Sequence, residues 1–387
     1  MKVYVLTAAL LLTISNYALA QTFDTQSCEG KVLFESSNRG RSIQSALDKL
    51  TQNQIPGAVA AIWDNNGFQI WSSGYAKVEN QVPMESCHLQ YIQSIAKTYL
   101  AVSILQLYEE GRIELEQALT AYLPKQISSL IPNAEKVNVR MLLNHTSGIP
   151  EYNYDPRYVT RLLQNPNRVL NPEEYLKYIN GKKPDFEPGE RYAYRNSNYL
   201  ILALIAENIT GNHQIYMEDR IFKPLGLVDT YYRIEYENDY QGRLVNSYWD
   251  RFSNAHLENI SVLQNSNVAS MIGDDGIITT PQEALTFLKG LLEGELLKPE
   301  TLDIMKEWVL RQDGTPAYGL GLTYSKFLGI SAIGHSGGGL GSGCQLYYFP
   351  EEDLYMFLGI NLGTVTESPI HTKAEKILEE IYMAILK

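Results

Sequence analysis

A serine and a lysine stand three residues apart in Ser94-Ile95-Ala96-Lys97. On a helix, positions i and i+3 share a face, so the two side chains meet. A serine hydroxyl is a weak nucleophile until a neighbouring base takes its proton. A lysine becomes that base only when burial or nearby positive charge lowers its pKa. Residues 94–110 (SIAKTYLAVSILQLYEE) are apolar on nearly every side, which predicts a buried helix and a partly buried Lys97. A helix that begins at Ser94 also sets the hydroxyl at the positive end of the helix dipole.

Tyr194-Arg195-Asn196 forms a second group, just before an apolar helical run at 197–210. A tyrosine hydroxyl beside a serine and a lysine relays protons, and an asparagine amide orients a substrate carbonyl. The third group is Gly334-His335-Ser336-Gly337-Gly338-Gly339, at the end of a strand-like run. Its glycines let a backbone approach a ligand closely, and the N–H groups of Gly338 and Ser94 together would form an oxyanion hole. Each group alone also has a plain structural reading: a serine cap with a snorkelling lysine, a helix-start turn, a glycine-rich hairpin with a core histidine.

Two lookalikes are set aside. Gly334-His335-Ser336-Gly337-Gly338 matches G-x-S-x-G, but that motif must turn from a strand into a helix, and here more glycine and two strands follow. The glycines also lack G-x-G-x-x-G spacing and a G-K-[ST] ending, so they do not read as a nucleotide site. No CxxC, HExxH or Cys/His cluster occurs at zinc spacing, and neither a metal nor a cofactor is expected.

These groups must be positioned by elements from distant parts of the chain. Residues 42–53 read as an amphipathic helix. Residues 57–64 and 68–75 read as two strands joined at Asn65-Asn66-Gly67, a turn sequence that supplies positive φ. From about 94 to 300 the pattern is mostly helical, with Gly111 and Gly211 as stops and a helix over 281–293 opened by Pro281. Strands return at 317–324, 330–335, 343–349 and 354–361, the last pair joined at Pro350-Glu351-Glu352-Asp353. A helix over 372–386 follows. The fold class is therefore α+β, an α/β sandwich. One antiparallel sheet is built from the N- and C-terminal segments and flanked by helices, and a mainly helical lobe covers about 98–300. Ligand sites favour the cleft between such lobes.

The chain has 387 residues, 44% apolar and 20% charged, with a net charge of −12. That is globular composition, and its acidity argues against a nucleic-acid partner. Lys2, the apolar run Val3–Ile14 and Ala18-Leu19-Ala20 read as a signal peptide over 1–20. The expected product is exported, periplasmic or secreted, with no lasting membrane insertion after cleavage. Residues 21–41 read as a loosely ordered leader and 42–385 as one domain. Export permits a Cys28–Cys87 disulfide that leaves Cys344 free; three buried thiols is the other reading. The 27 tyrosines are the unusual count. Ten of them (Tyr152, Tyr154, Tyr158, Tyr175, Tyr178, Tyr231, Tyr232, Tyr236, Tyr240 and Tyr248) fall in 150–190 and 231–268, where they line a cleft or pack on neighbouring loops.

Taken together and in this order, Ser94-x-x-Lys97, Tyr194-x-Asn196 and His335-Ser336-Gly337 resemble the serine β-lactamase and D-alanyl-D-alanine carboxypeptidase superfamily. The closest branch is that of class C β-lactamases and the DD-peptidases, esterases and D-aminopeptidases related to them. The similarity covers about 42–385. It includes Leu142-Leu143-Asn144-His145-Thr146-Ser147-Gly148-Ile149, Gly189 through Tyr199, Gly276-Ile277-Ile278-Thr279-Thr280 and Tyr318-Gly319-Leu320-Gly321.

The resemblance implies Ser94 as nucleophile, Lys97 as its proton partner and Tyr194 as the general base or acid that serves the leaving group. Asn196 would hold a substrate amide, with Gly337 and Gly338 beside the oxyanion. His335 falls where most β-lactamases have a lysine, and Ser336 would bond a substrate carboxylate. With that permanent cation gone, grip on a carboxylate would rest on a charged His335, or on Arg195 if it points into the cleft. The implied activity is an exported serine hydrolase working through an acyl-enzyme. It would be most D-alanyl-D-alanine carboxypeptidase-like, acting on a small-molecule or peptide substrate, with esterase or β-lactamase activity as the alternative. A non-catalytic penicillin- or peptide-binding module is the reading of another class.

Overall fold

The computed structural model describes residues 37–232 and 240–387. Its principal elements run α1 (Asn38–Gln52), β1 (Gly57–Asp64), β2 (Gly67–Lys77), β3 (Val82–Pro83), α2 (Ala96–Glu109), α3 (Pro156–Gln164), α4 (Asn196–Thr210), α5 (Pro281–Leu292), β4 (Val309–Leu310), β5 (Pro316–Tyr318), β6 (Thr323–Phe327), β7 (Ile330–Gly338), β8 (Gly343–Phe349), β9 (Leu354–Ile360) and α6 (Pro369–Leu386).

The nine strands form one antiparallel sheet in the order β3-β2-β1-β9-β8-β7-β6-β5-β4. The two ends of the sequence meet at its centre, where Val59 of β1 pairs with Gly359 of β9. Alternation along each strand divides the apolar side chains between two cores. Ala58, Ala60, Ile62, Phe349, Met356 and Leu358 join Leu47 of α1 and Ile381 of α6 on one face. Val59, Ala61, Leu346 and Phe357 join α2, α4 and α5 on the other. The sheet is thus sandwiched between the terminal helices and a mainly helical lobe.

Several boundaries differ from the sequence reading for local reasons. Helix α1 starts inside the expected leader, at Asn38, because the Ser37 hydroxyl caps it by accepting from Gly40 N–H at 2.9 Å. Helix α6 starts at Pro369, capped by Ser368. The strand expected over 317–324 breaks into β5 and β6, because Gly321 passes against α2, where a Cβ would lie 2.2 Å from Ala101 Cβ. Strand β7 runs on to Gly338. Helices α2 and α4 are buried almost all round, as their uninterrupted apolar sequences require.

Cys87 is engaged in a disulfide and Cys344 is a buried free thiol; Cys28 lies outside the described residues, as do residues 1–20 and Tyr236. No helix among the described residues is long and apolar enough to cross a membrane.

Candidate active site

Ser94 does not begin the α-helix. It lies in a tight 3-10 turn, Gln93–Ile95, that leads into α2 at Ala96. Gln93 takes a left-handed φ of +50°, a conformation that non-glycine residues adopt only when their surroundings hold them. Here the holding groups are at the end of the sheet. The Gln93 amide donates to Ser342 Oγ at 2.7 Å, and Ser342 Oγ donates to Tyr91 O at 3.0 Å. The Cys344 thiol donates to Ile92 O at 3.0 Å.

Two glycines of the third group, Gly337 and Gly339, serve the same contact. A Cβ on Gly337 would lie 2.3 Å from Ile92 O, and one on Gly339 would lie 2.3 Å from the Gln93 amide oxygen. Beyond Gly334, β7 pairs only with β8 among the described residues, so His335–Gly338 forms an open strand edge beside the Ser94 turn. Ser336 lies within this strand rather than on a strand-to-helix turn, in keeping with setting the G-x-S-x-G match aside.

Lys97, the second residue of α2, is completely buried. Its Nζ donates to Ser94 Oγ at 2.9 Å and to the Asp274 backbone carbonyl at 2.7 Å. Burial brings its pKa down to about 8, against the opposing pull of Asp274, Asp275 and Glu151. The ammonium lies 5.1 Å from the centre of the Tyr194 ring. The Tyr194 hydroxyl is buried, and burial raises its pKa well above the ordinary value, with Ser94 offsetting part of the effect. It is therefore a phenol at neutral pH, a proton donor rather than a resting base. His145 fixes the ring from behind at 4.4 Å between centroids. The His145 Nδ1 in turn faces the N–H of Arg195 at 3.2 Å and the Asn198 amide at 3.1 Å. Asn196 opens α4, and its side chain lines the same cavity as Ser94 and Gly338.

Two charge expectations are corrected. His335 is buried and carries no charge near neutral pH, because burial and the nearby Lys97 hold its pKa down to about 3. Its Nδ1 lies 2.6 Å from Ser336 O and its Nε2 lies 2.9 Å from the Tyr318 hydroxyl. A carbonyl only accepts, so Nδ1 carries the proton and Nε2 accepts from Tyr318. Arg195 does not supply the missing cation either. Its Nε and Nη2 donate to Asp185 Oδ2 at 3.0 and 2.8 Å, and its Nη1 donates to Tyr194 O at 2.9 Å.

Sequence reasoning missed three acids beneath the serine. Glu151, Asp274 and Asp275 are all buried. Burial raises the Glu151 and Asp275 carboxyls to about 7, and the Asp274 carboxyl is also pushed up. Tyr152 donates to Asp274 Oδ2 at 2.6 Å, and Glu151 receives the Asn196 N–H. The one sequence signal was position: Asp274-Asp275 directly precedes the Gly276–Thr280 landmark. The loop tyrosines divide between the two roles foreseen. Tyr152, Tyr158, Tyr175 and Tyr178 pack on one another, with centroids 4.9–5.9 Å apart. Tyr154 and Tyr158 line the cavity.

A serine activated by a buried lysine, set at the junction of an antiparallel sheet and a helical lobe, defines the class of serine hydrolases that share the β-lactamase and penicillin-binding architecture. The chain belongs to the Beta-lactamase family, whose model matches residues 43–376. It is similar to the D-stereospecific amidohydrolase of Streptomyces sp., with 27% identity and a TM-score of 0.74, covering 87% of this chain and 97% of that one. It is also similar to protein flp of Staphylococcus aureus (strain MW2), 31% identical over 186 residues, which is 48% of this chain and 36% of that protein. Penicillin-binding protein 4* of Bacillus subtilis (strain 168) is 28% identical over 201 residues, 50% of this chain and 42% of that protein. The match thus spans less than half the length of these two relatives.

Proposed function

We propose that the protein is a serine acyl hydrolase that cleaves D-configured peptides or amides through a Ser94 acyl-enzyme. The observation that carries this reading is the Lys97 Nζ, buried, depressed in pKa and 2.9 Å from Ser94 Oγ. Neutral Lys97 takes the serine proton as Ser94 attacks the carbonyl. The N–H groups of Ser94 and Gly338 receive the oxyanion, and Asn196 holds the substrate amide. Tyr194 donates a proton to the leaving group. Water then releases the acyl group by the reverse proton path, and no cofactor or metal takes part. The assembly of all these groups speaks against a purely binding module.

D-alanyl-D-alanine carboxypeptidase activity is one form of this reading. The charge distribution favours a leaving group without a carboxylate, because His335 is neutral and Arg195 is paired to Asp185. The similarity to a D-stereospecific amidohydrolase supports the same preference. An assay panel tests it: a D-Ala-D-Ala peptide, a D-amino-acid amide, a short ester and a chromogenic cephalosporin, each with wild type and Ser94→Ala. The expected result is best turnover of the amide, with at least about a thousandfold loss in the variant. Equal rates in the two proteins would overturn the reading, and faster turnover of the D-Ala-D-Ala peptide would restore the carboxypeptidase form. We also infer export, for which the N-terminus of the processed protein would be Gln21.

A further inference from the structure

The cavity at Ser94 has a volume of about 440 Å³ and a lining of two unlike kinds. Ser94, Asn196 and Gly338 are among its polar residues. Its apolar residues include Val159, Leu162 and Leu163 from α3, Trp249, Leu340 and Val365. Helix α3 is held so that it can offer this face. Asp155 caps it by accepting from Arg157 N–H at 3.0 Å, and Tyr158 donates to Asn267 Oδ1 at 3.1 Å. Val159, Leu162 and Leu163 then share one side at i, i+3 and i+4. The Trp249 indole N–H donates to Thr366 Oγ1 at 2.8 Å, and the Arg251 guanidinium stacks over its ring, 5.1 Å from the centroid.

Three of these side chains are exposed where a folded chain would ordinarily cover them: Val159 at 42%, Leu163 at 36% and Val365 at 55%. They line the same pocket as the nucleophile, so the natural cover is part of the substrate. The geometry also assigns which part. Tyr194, His335 and Ser336 do not line this cavity, whereas Ser94, Asn196 and Gly338 do. The leaving group must sit by its proton donor, Tyr194. The group left on Ser94 after it departs must therefore extend the other way, into the cavity. Asp274 and Asp275 also reach the lining, where they disfavour an anionic group.

From this we propose that the cavity is an acyl-group pocket selecting an acyl group with an apolar chain much larger than acetyl and no negative charge, with the α3 face as the specificity-determining wall. The proposal rests on the Ser94 acyl-enzyme reading.

A series of p-nitrophenyl esters (acetate, butyrate, octanoate) tests it, since the leaving group stays constant while the acyl chain grows. Each methylene buried should raise kcat/KM by about fourfold. Octanoate is longer than acetate by six methylenes, and burial of only two of them already makes the expected octanoate-to-acetate ratio at least about tenfold. In a Val159→Asp/Leu163→Asp variant that ratio should fall to within about twofold of unity. Val365→Asp, on another lining segment outside any helix, should lower it too and serves if the double variant does not fold. A flat or falling wild-type series with turnover that still requires Ser94 would overturn the pocket assignment alone. So would a ratio unchanged in folded variants. Absence of any Ser94-dependent turnover would overturn the acyl-enzyme reading beneath it.

Discussion

Lys97 is the basic group that touches Ser94 and titrates near neutrality, so the pH dependence of the reaction should report on it. A base must be unprotonated to act, and its unprotonated fraction grows as pH rises. Single-turnover kcat/KM should therefore climb toward a plateau with an apparent midpoint near pH 8, a value that belongs to Lys97 together with the acids around it. Among those acids Asp274 does most to favour the ammonium form. Asp274→Asn keeps an acceptor for Tyr152 and removes that charge, so it should move the rise to lower pH. A shift to higher pH would contradict the electrostatic role. Ser94, Lys97, Tyr194 and Asn196 were legible as candidates because their motifs, in this order, resemble a known family's, and the structure brings them to one site. The buried acids and the neutral His335 were not. Whether a charge is buried, and what pairs with it, is set by side chains distant in sequence, such as Asp185 for Arg195 and Tyr318 for His335.

At the scale of elements, the Ser94 turn is held by its contact with the open end of β7. The glycines at 337–339 were read as letting the backbone approach a ligand; the close neighbour of Gly337 and Gly339 is the turn at Ile92 and Gln93, and that of Gly338 is Thr364. Gly337→Ala would set a Cβ 2.3 Å from Ile92 O and 2.8 Å from Cys344 Sγ, so the strand and the turn must separate. A displacement of about 1 Å in a reacting group costs roughly 100-fold. We expect kcat/KM for the ester substrates to fall by about that factor, with the unfolding midpoint in denaturant changing much less. Full activity in this variant would mean that the turn is positioned by other contacts. Helix and strand existence followed from periodicity and from turn residues such as Asn65-Asn66-Gly67. The 3-10 turn at Ser94 did not, because tertiary hydrogen bonds impose the left-handed Gln93, and no local pattern records them.

For the whole molecule, the layout of strands at both ends with helices between them was enough to foresee one sheet closed by β1 and β9 and a helical lobe set against it. The cavity was not foreseeable in detail, since its walls come from 153–163, 249, 267–275, 338–340 and 365–366 and their meeting is a property of the folded chain. The net charge of −12 says little about substrate; the local placement of Lys97 above three acids says much more. The account stands on a covalent intermediate at Ser94, and intact-protein mass spectrometry after brief exposure to a fluorophosphonate probe or a penicillin reads that bond directly. It predicts one adduct per chain, mapped to Ser94, absent in Ser94→Ala and formed far more slowly in Lys97→Ala. An unlabelled wild-type protein, or an adduct at any other residue, would contradict it.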